Sequence, residues 1–431
     1  MTQRVQPSLT VALLVTLMLV AGASAQTVIN PNGSTPFTIT SPGSYRLGSD
    51  VSMSTHNDCI RIAAHNVTLD LGGHRIRGTT AGWGIGVHQI SGHGARVFNG
   101  WVASFGSGGI EINDHAVVHD VTVRENGGHG LSVGSNSHIW SVTAIGNTHS
   151  GIDTGNGCLV QDCVARANNT AGGEAGIDVG LSCTVRDCVA SGNSPTALGS
   201  AVGISSSSGC TLVGNTASNN IASGSNSGVG IYTVFGTTVS NNTASGNTGG
   251  LLGGSGIGIQ VSDDCLVMGN TCEDNEGRAA TSMSLGIQAR DNNLIATNTC
   301  SSNGHAASSG WCFGIDARDN NLIADNCCSE NSSLGSAGYA HGIQAGAANR
   351  IEENHCANNW ADTIPNSRGI DVTGAHNVVL ANTIVEQDVA IDLNSTQSWY
   401  GENVYHSTIE DAASATPGNG YRADQVVTGG P

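Results

Sequence analysis

The sequence predicts an all-β solenoid, and three observations lead to this prediction. Ten times in succession, a glycine followed by Ile or Leu has an asparagine seventeen positions after it. The units between these positions are rich in Asn and Gly, which favour turns. Their apolar residues come in short Val or Ile runs, as strands require. The glycines, called anchors here, are Gly109, Gly130, Gly151, Gly176, Gly203, Gly230, Gly258, Gly286, Gly314 and Gly342, with Gly84 and Gly369 outside them.

The chain begins with the pattern of a secretory signal in residues 1–25. Arg4 precedes an apolar run from Leu9 to Ala21, and Ala23-Ser24-Ala25 supplies small residues for cleavage. We expect the mature chain to start near Gln26. No later segment reaches the roughly 18 apolar residues of a membrane span, so we expect a secreted, periplasmic or cell-surface protein without a transmembrane segment.

The repeat divides the mature chain into three parts. Residues 26–83 are expected to form an N-terminal cap and the first coils, 84–393 the β-helix repeats, and 394–431 a C-terminal cap or tail. At about 4.8 Å per coil, about 13 coils predict a rod on the order of 60 Å long.

The asparagine twelve positions after each anchor predicts an internal ladder. Identical positions stack from coil to coil, so these side chains should be buried and hydrogen-bonded to one another. They are Asn215, Asn242, Asn270, Asn298, Asn326 and Asn354, with Cys163 and Cys188 replacing Asn in two earlier units. Helical repeats are the competing architecture. They require apolar residues at i, i+3, i+4 and i+7 with few glycines, which this chain lacks.

The amino-acid composition limits both the catalytic chemistry and the partners that this protein can have. All 15 basic residues are Arg, which excludes lysine-based Schiff-base chemistry. The formal charge of -18 argues against a nucleic acid as partner. A cation, a neutral glycan or a basic surface remains compatible with it.

Thirteen cysteines in an exported protein suggest disulfides, but many fall at fixed positions of the repeat. Side chains of one stacked column point in the same direction rather than toward each other. We therefore predict that most are buried thiols that pack like small hydrophobic residues. Because their number is odd, at least one is unpaired.

The unit beginning Gly286-Ile287-Gln288-Ala289-Arg290-Asp291-Asn292-Asn293-Leu294-Ile295 resembles repeats of the pectin-lyase-like superfamily. The entry segment Ser41-Pro42-Gly43-Ser44-Tyr45-Arg46-Leu47 is similar to the start of bacterial members. The resemblance covers roughly residues 35–393. It implies a single-stranded, right-handed parallel β-helix. It also implies a range of functions: polysaccharide lyases, glycoside hydrolases, epimerases, tailspikes, adhesins and a periplasmic family linked to copper-enzyme maturation.

Unequal anchor spacing predicts a groove. From Gly109 to Gly369 the spacing grows from 21 to 27 or 28 residues, and all the extra length lies just before the next anchor. The insertions 276–285, 304–313 and 332–341 should stack as a wall of loops beside an outward column of polar residues, two after each anchor. Elongated ligands bind in such grooves.

The later end of this groove is the predicted polysaccharide site. Aromatic side chains on adjacent loops, beside polar and charged groups, suit sugar rings. The predicted substrate-binding residues are Gln288, Gln344, Trp311, Tyr339, Trp360, His341 and Arg368, and the candidate catalytic residues are Asp316, Asp371, Arg318 and Arg290.

Two chemistries fit these residues. Asp316 and Asp371 lie two rungs apart, near the carboxyl separation of inverting glycosidases, roughly 6.5 to 9.5 Å. In a lyase, as the resemblance implies, Arg318 or Arg290 would act as the base. Asp153 and Asp178, one rung apart, are candidate ligands for Ca²⁺, the one metal considered as a cofactor.

Three other interpretations stay open. The outward polar residues can be an ordinary solvated face, and the protein can be a non-catalytic adhesion rod. Periplasmic metal handling is the third, because ten of the 15 histidines lie between His56 and His149 and Cys158, Cys163, Cys183 and Cys188 lie in adjacent coils.

Overall fold

The computed structural model describes residues 26–168, 174–195, 197–305, 310–334, 337–363, 366–394, 398–405, 408–411 and 425–426. These residues form a parallel β-helix, which confirms the predicted solenoid. The proposed signal segment, 1–25, lies outside the described residues. Across the described ranges, no helix is long and apolar enough to cross a membrane.

Three parallel sheets run along the coil. Sheet I contains 29 strands, most coils contributing two of them on either side of a bend. Its strands are Thr27–Ile29, Gly43–Leu47, Val51–Ser52, Val67–Asp70, Arg75–Arg77, Arg96–Ala103, Val117–Arg124, His138–Ile145, Leu159–Gln161, Val164–Arg166, Thr184–Arg186, Val189–Ser191, Thr211–Val213, Thr216–Ser218, Thr238–Ser240, Thr243–Ser245, Leu266–Met268, Thr271–Glu273, Leu294–Ala296, Thr299–Ser301, Leu322–Ala324, Cys327–Ser329, Arg350–Glu352, His355–Ala357, Val378–Leu380, Thr383–Val385, Trp399–Gly401, Val404–Tyr405 and Gln425–Val426.

Sheet II contains 16 strands, of which four begin one residue after an anchor and seven begin two or three residues before one. They are Phe37–Ile39, Ile60–Ala63, Val87–Ser91, Ile110–Ile112, Leu131–Val133, Ile152–Thr154, Ile177–Val179, Ala201–Ser206, Gly228–Thr233, Gly256–Val261, Met283–Ala289, Trp311–Ala317, Tyr339–Ala345, Ser367–Val372, Val389–Leu393 and Thr408–Asp411. The residue after each anchor points inward, so that Ile287, Ile315 and Ile343 stack in register and are fully buried.

The predicted asparagine ladder is confirmed. Asn326 Oδ1 accepts hydrogen bonds from both the backbone N and Nδ2 of Asn298, each at 2.9 Å, while Asn326 Nδ2 donates to the carbonyl oxygen of Ile295 at 2.9 Å. The pattern continues through Asn382 to Asn403. A second ladder, which was not predicted, joins the asparagines seventeen positions after the anchors, as in the 2.9 Å bond from Asn275 Nδ2 to Asn303 Oδ1.

The anchors are glycines because two neighbours approach them closely. A Cβ atom added at Gly286 would lie 2.5 Å from the carbonyl oxygen of Gly314 and 2.8 Å from Cys300 Cβ. Real Cβ atoms do not approach backbone atoms so closely. Any side chain there would separate the coils.

The 13 cysteines are all free thiols, and all but the half-buried Cys327 are buried. The prediction of buried, unpaired thiols is confirmed. Cys188 also replaces asparagine as a ladder acceptor, since the backbone N of Cys163 donates to Cys188 Sγ at 3.5 Å. Burial raises the pKa of Cys163 and Cys300, and the hydrogen bond with Cys328, together with burial, raises the pKa of Cys356, which keeps these thiols protonated and inert.

The predicted wall of loops is partly a sheet. Short segments of the insertions pair as sheet III, whose four strands are Glu276–Gly277, Gly304–His305, Ser332–Ser333 and Trp360–Ala361. Other insertion residues lengthen the strands of sheet II on the N-terminal side of the anchors. The candidate aromatic residues therefore lie on strands, rather than on loops as predicted: Trp311 and Tyr339 begin strands of sheet II, and Trp360 begins a strand of sheet III.

Candidate functional site

An outward column of polar residues runs along sheet II, as the repeat predicted. Its members pair directly from coil to coil: Gln260, Gln288, Asp316, Gln344 and Asp371 are consecutive. Gln260 Nε2 donates to Gln288 Oε1 at 3.0 Å, and Gln288 Nε2 approaches Asp316 Oδ2 at 3.5 Å. Three members of the column, Gln260, Gln288 and Asp316, are therefore linked into a hydrogen-bonded series beside the insertions.

Four of the predicted site residues line one polar cleft of about 280 Å³. Gln288, Arg290, Asp316 and Arg318 lie in it together with Tyr232, Gln260, Val261, Ser262 and Ala289. Within the described chain, neither guanidinium lies within 4.0 Å of a carboxylate. Burial raises the pKa of Asp316, although Gln288 and Arg318 oppose the shift. The cleft thus offers two guanidinium groups without a carboxylate partner and one carboxyl whose pKa is raised.

Asp371 belongs to a different, buried network. It is 4% exposed, and its Oδ1 accepts a 2.9 Å hydrogen bond from Asn394 Nδ2. His341 Nδ1 lies 3.4 Å from Asp371 Oδ2 but makes no hydrogen bond. Arg368 joins the network through Asp392 Oδ2, 2.7 Å from its Nε, and through His341 Nε2, 3.2 Å from its Nη1. The expectation that Asp371 points outward into the groove is therefore wrong, because side chains of neighbouring coils cover it.

Burial sets the protonation of this network. It raises the pKa of Asp371 to about 6, although Arg368 opposes the shift. It lowers the pKa of His341 to about 3, and the Arg368 charge acts in the same direction. Near neutral pH, His341 is uncharged.

The structure brings two of the predicted aromatic residues together and places the third on a different sheet. Trp311 and Tyr339 are in adjacent strands with their ring centroids 6.0 Å apart, and the Arg368 guanidinium lies 5.6 Å from the Tyr339 ring. Trp360 is half-exposed on sheet III. Gln344 lies between Asp316 and Asp371 in the outward column.

The two acids proposed as Ca²⁺ ligands pair in register, as predicted. Ser132 Oγ donates to Asp153 Oδ2 at 2.9 Å. Burial raises the pKa of Asp178 to about 6; the Ser205 hydrogen bond lowers it, Asp153 and Glu174 raise it, and His129 lowers it. Two residues outside the pair, His129 and Glu174, therefore contribute to the electrostatic field at Asp178.

Those two residues belong to a cluster with His149, called the His–Glu cluster here. One ligand atom from each of His129, His149 and Glu174 lies within 4.8 Å of the others. His149 Nδ1 is 2.5 Å from Glu174 Oε1, and the two imidazole rings are 5.3 Å apart. Among the described residues, this is the group of His, Cys, Asp and Glu side chains whose spacing could hold a metal ion.

Two atoms of the cluster are buried without a hydrogen-bond partner, His129 Nδ1 and Glu174 Oε2. A buried polar atom without a partner costs about 1 to 3 kcal/mol. A bound cation would satisfy both atoms. Two imidazoles and a carboxylate suit Cu²⁺ and Zn²⁺, so the donor set fits a transition metal.

The predicted sites did not include this cluster, although the sequence contains a signal for it. His149 and Glu174 are each two residues before an anchor, and His129 is one residue before an anchor. Stacking the anchors places all three at the turn into sheet II, in three successive coils. The four cysteines considered for a metal are buried in internal columns instead, and burial raises the pKa of Cys163.

The cluster opens into a cavity of about 640 Å³. Four glycines line it, Gly106, Gly108, Gly127 and Gly128. The other lining residues include Trp83, Ser107, Glu111, His129, Ser132 and His149. The Trp83 side chain is 87% exposed. The short coils have no insertion at this turn, so the cavity is open where later coils carry the wall.

Comparison with known proteins gives one family and several distant structures. Residues 86–309, more than half of the chain, match the family described as NosD, periplasmic copper-binding protein. No curated protein matches the chain.

Among solved structures, a mutant of the periplasmic alginate epimerase AlgG is 12% identical, with 87% of this chain and 78% of that chain covered and a TM-score of 0.41. A mutant tailspike protein of E. coli bacteriophage HK620, in complex with a hexasaccharide, is 14% identical, with 90% and 71% covered and a TM-score of 0.44. Neither similarity carries an inference about the ligand of this chain.

Proposed function

This chain belongs to the NosD family, described as periplasmic copper-binding proteins, and we propose that it binds a transition-metal ion, Cu²⁺ before others, at the His–Glu cluster. The observation that carries the proposal is the convergence of His129, His149 and Glu174 within 4.8 Å, with two buried atoms that have no hydrogen-bond partner. The family description agrees with the chemistry of these donors.

Charge and donor type support the choice of metal. Asp153 and Asp178 lie near the cluster, so the local field favours a cation. Imidazole nitrogens favour Cu²⁺ over the other divalent first-row ions, following the Irving–Williams order. Ca²⁺ prefers six to eight oxygen ligands and is the weaker candidate for the His–Glu cluster. The acidic pair Asp153–Asp178 remains the proposed site for Ca²⁺.

The test is titration of metal-free, untagged protein with Cu²⁺, Zn²⁺ and Ca²⁺ by calorimetry, with electron paramagnetic resonance on the copper form. We expect about one Cu²⁺ per chain and nitrogen couplings from imidazole. His149→Ala and Glu174→Gln should each weaken binding at least tenfold, about 1.4 kcal/mol. His355→Ala, which removes an exposed histidine from sheet I, is the matched control. Equal copper affinity in all four proteins would refute the proposal.

A second function is favoured by the polar cleft at Gln288, Arg290, Asp316 and Arg318. We propose that this cleft binds a polysaccharide and cleaves it as a lyase or a hydrolase. Unpaired guanidinium groups suit an acidic polymer, and a carboxyl whose pKa is raised, as at Asp316, suits a general acid. Trp311 and Tyr339, one and two coils beyond Gln288, supply aromatic contacts for further sugar rings.

The cleft is tested with a panel of uronans and neutral glycans, with and without Ca²⁺. Ultraviolet absorbance of an unsaturated uronate would identify a lyase, and reducing ends without absorbance a hydrolase. Asp316→Asn and Arg318→Ala should abolish product formation, while Glu330→Gln, at an exposed turn, should leave it unchanged. Binding without product in the wild type would favour the adhesion rod.

A further inference from the structure

The cavity beside the His–Glu cluster is large enough for a ligand. Its volume of about 640 Å³ lies within the usual range of small-molecule sites, about 300 to 1,000 Å³. Four glycines are among its lining residues, and a Cβ atom at Gly127 would lie 2.2 Å from the carbonyl oxygen of Gly106, so no side chain fits at that position.

The cavity is lined by residues of two kinds. His129 and His149 are among the lining residues, and so is Trp83, which is 87% exposed. An indole exposed to this extent costs hydrophobic free energy, and a sugar ring is a suitable occupant because its apolar face packs on the indole. Three protein ligands leave at least one coordination position open for a ligand atom.

Local charge distinguishes acidic from neutral sugars. Glu111 lines the cavity, and Asp153 and Asp178 lie close by on sheet II. Without a metal, these acids would repel a carboxylate. With a cation on the His–Glu cluster, the carboxylate would have a direct partner.

We propose that this cavity binds an acidic saccharide, with one sugar ring on Trp83 and the carboxylate of another uronate residue at the open position of the metal. The inference rests on the proposed function, because it requires a cation on His129, His149 and Glu174. Trp83 is a specificity-determining residue of this site and does not contact the metal.

The experiment titrates a galacturonate trimer, and its neutral methyl ester, into copper-loaded and metal-free protein. We expect binding of the free acid to the copper form, and at least tenfold weaker binding of the methyl ester and to the metal-free protein. Trp83→Ala should keep one Cu²⁺ and lose at least tenfold in trimer affinity, and Trp83→Phe should recover part of it. Trp399→Ala, which truncates an exposed tryptophan near the other end of the rod, should match the wild type.

The outcomes separate the two proposals. Wild-type protein that binds copper through the cluster but does not bind the trimer overturns this inference and leaves the metal site standing. Equal trimer binding by the metal-free protein, or by Trp83→Ala, also overturns it and points to the Arg290 and Arg318 cleft. Loss of copper binding as such overturns both proposals.

Discussion

Asp371 and His341 oppose each other in their effect on stability, because burial shifts their pKa values in opposite directions. The pKa of Asp371 is about 6 in the folded protein, above its ordinary value of 3.8, so between these values the folded state binds more protons than the unfolded one. The pKa of His341 is about 3, below its ordinary 6.5, so there the folded state binds fewer. The first effect lowers stability as pH rises, and the second raises it. Between about pH 4 and 6 the two offset each other.

This balance gives a prediction for Asp371→Asn. Without the carboxyl, the His341 effect is uncompensated, so the free energy of unfolding should rise with pH between about 4 and 6. It should do so more steeply than in the wild type, by up to about 1.4 kcal/mol per pH unit. Denaturant midpoints of variant and wild type across this range measure the difference. Asp162→Asn, at an exposed turn, is the control, and identical slopes in all three proteins would contradict the prediction.

At this scale, positions could be predicted but burial could not. The anchors correctly predicted that Asp316 and Asp371 share one column. The column did not predict that Asn394, Arg368 and His341 would cover one acid and leave the other in an open cleft. That difference depends on side chains from other coils, whose conformations no repeat position specifies.

The asparagine ladder is the element that holds adjacent coils in register. Each internal amide accepts two hydrogen bonds from the coil on one side and donates through Nδ2 to a main-chain carbonyl, in a fully buried column. A wrong register would leave several of these groups without partners, at a cost of about 1 to 3 kcal/mol each. The ladder therefore specifies the stacking as well as stabilising it.

Replacing one ladder residue should be costly. Asn326→Ala removes the acceptor of the Asn298 backbone N and Nδ2 and the donor to the Ile295 carbonyl oxygen. We expect a loss of roughly 3 kcal/mol or more, measured by urea denaturation. The control is Asn320→Gly, at an exposed turn where φ is +59° and glycine is well tolerated. A loss as small as that of the control would mean that water or relaxation replaces the ladder bonds.

The ladder was predictable because residues at the same position of the repeat stack directly on one another in successive coils. The strands of sheet III were not. Pairs such as Glu276-Gly277 and Ser332-Ser333 have no strand preference of their own. They pair because equal insertions in successive coils bring their backbones side by side. This pairing follows from the three-dimensional stacking of the coils and not from the residues themselves.

At the scale of the whole molecule, the two candidate centres lie in different parts of the rod. The His–Glu cluster occupies coils whose insertions are absent or only four residues long, and the polar cleft occupies the long coils beside sheet III. Six coils separate Gly130 from Gly286, or about 29 Å at about 4.8 Å per coil. Solenoid coils contact only their neighbours, so a change at one centre has little means of reaching the other.

We therefore predict that the two sites act independently. The Cu²⁺ affinity of Asp316→Asn should lie within about twofold of the wild-type value. The glycan affinity of His149→Ala at the polar cleft should lie within the same limit. Both follow because the effects of distant substitutions are usually additive. Calorimetry on each variant with each ligand measures both effects. A larger, reciprocal change in both titrations would reveal coupling through the rod.

The stacked columns have one further consequence. Removing or adding one whole coil leaves each ladder asparagine facing another asparagine, so the rod can change length without losing internal partners. The separation between the His–Glu cluster and the polar cleft can then vary only in steps of about 4.8 Å. A ligand that spans both centres would thus distinguish relatives by the number of coils between them.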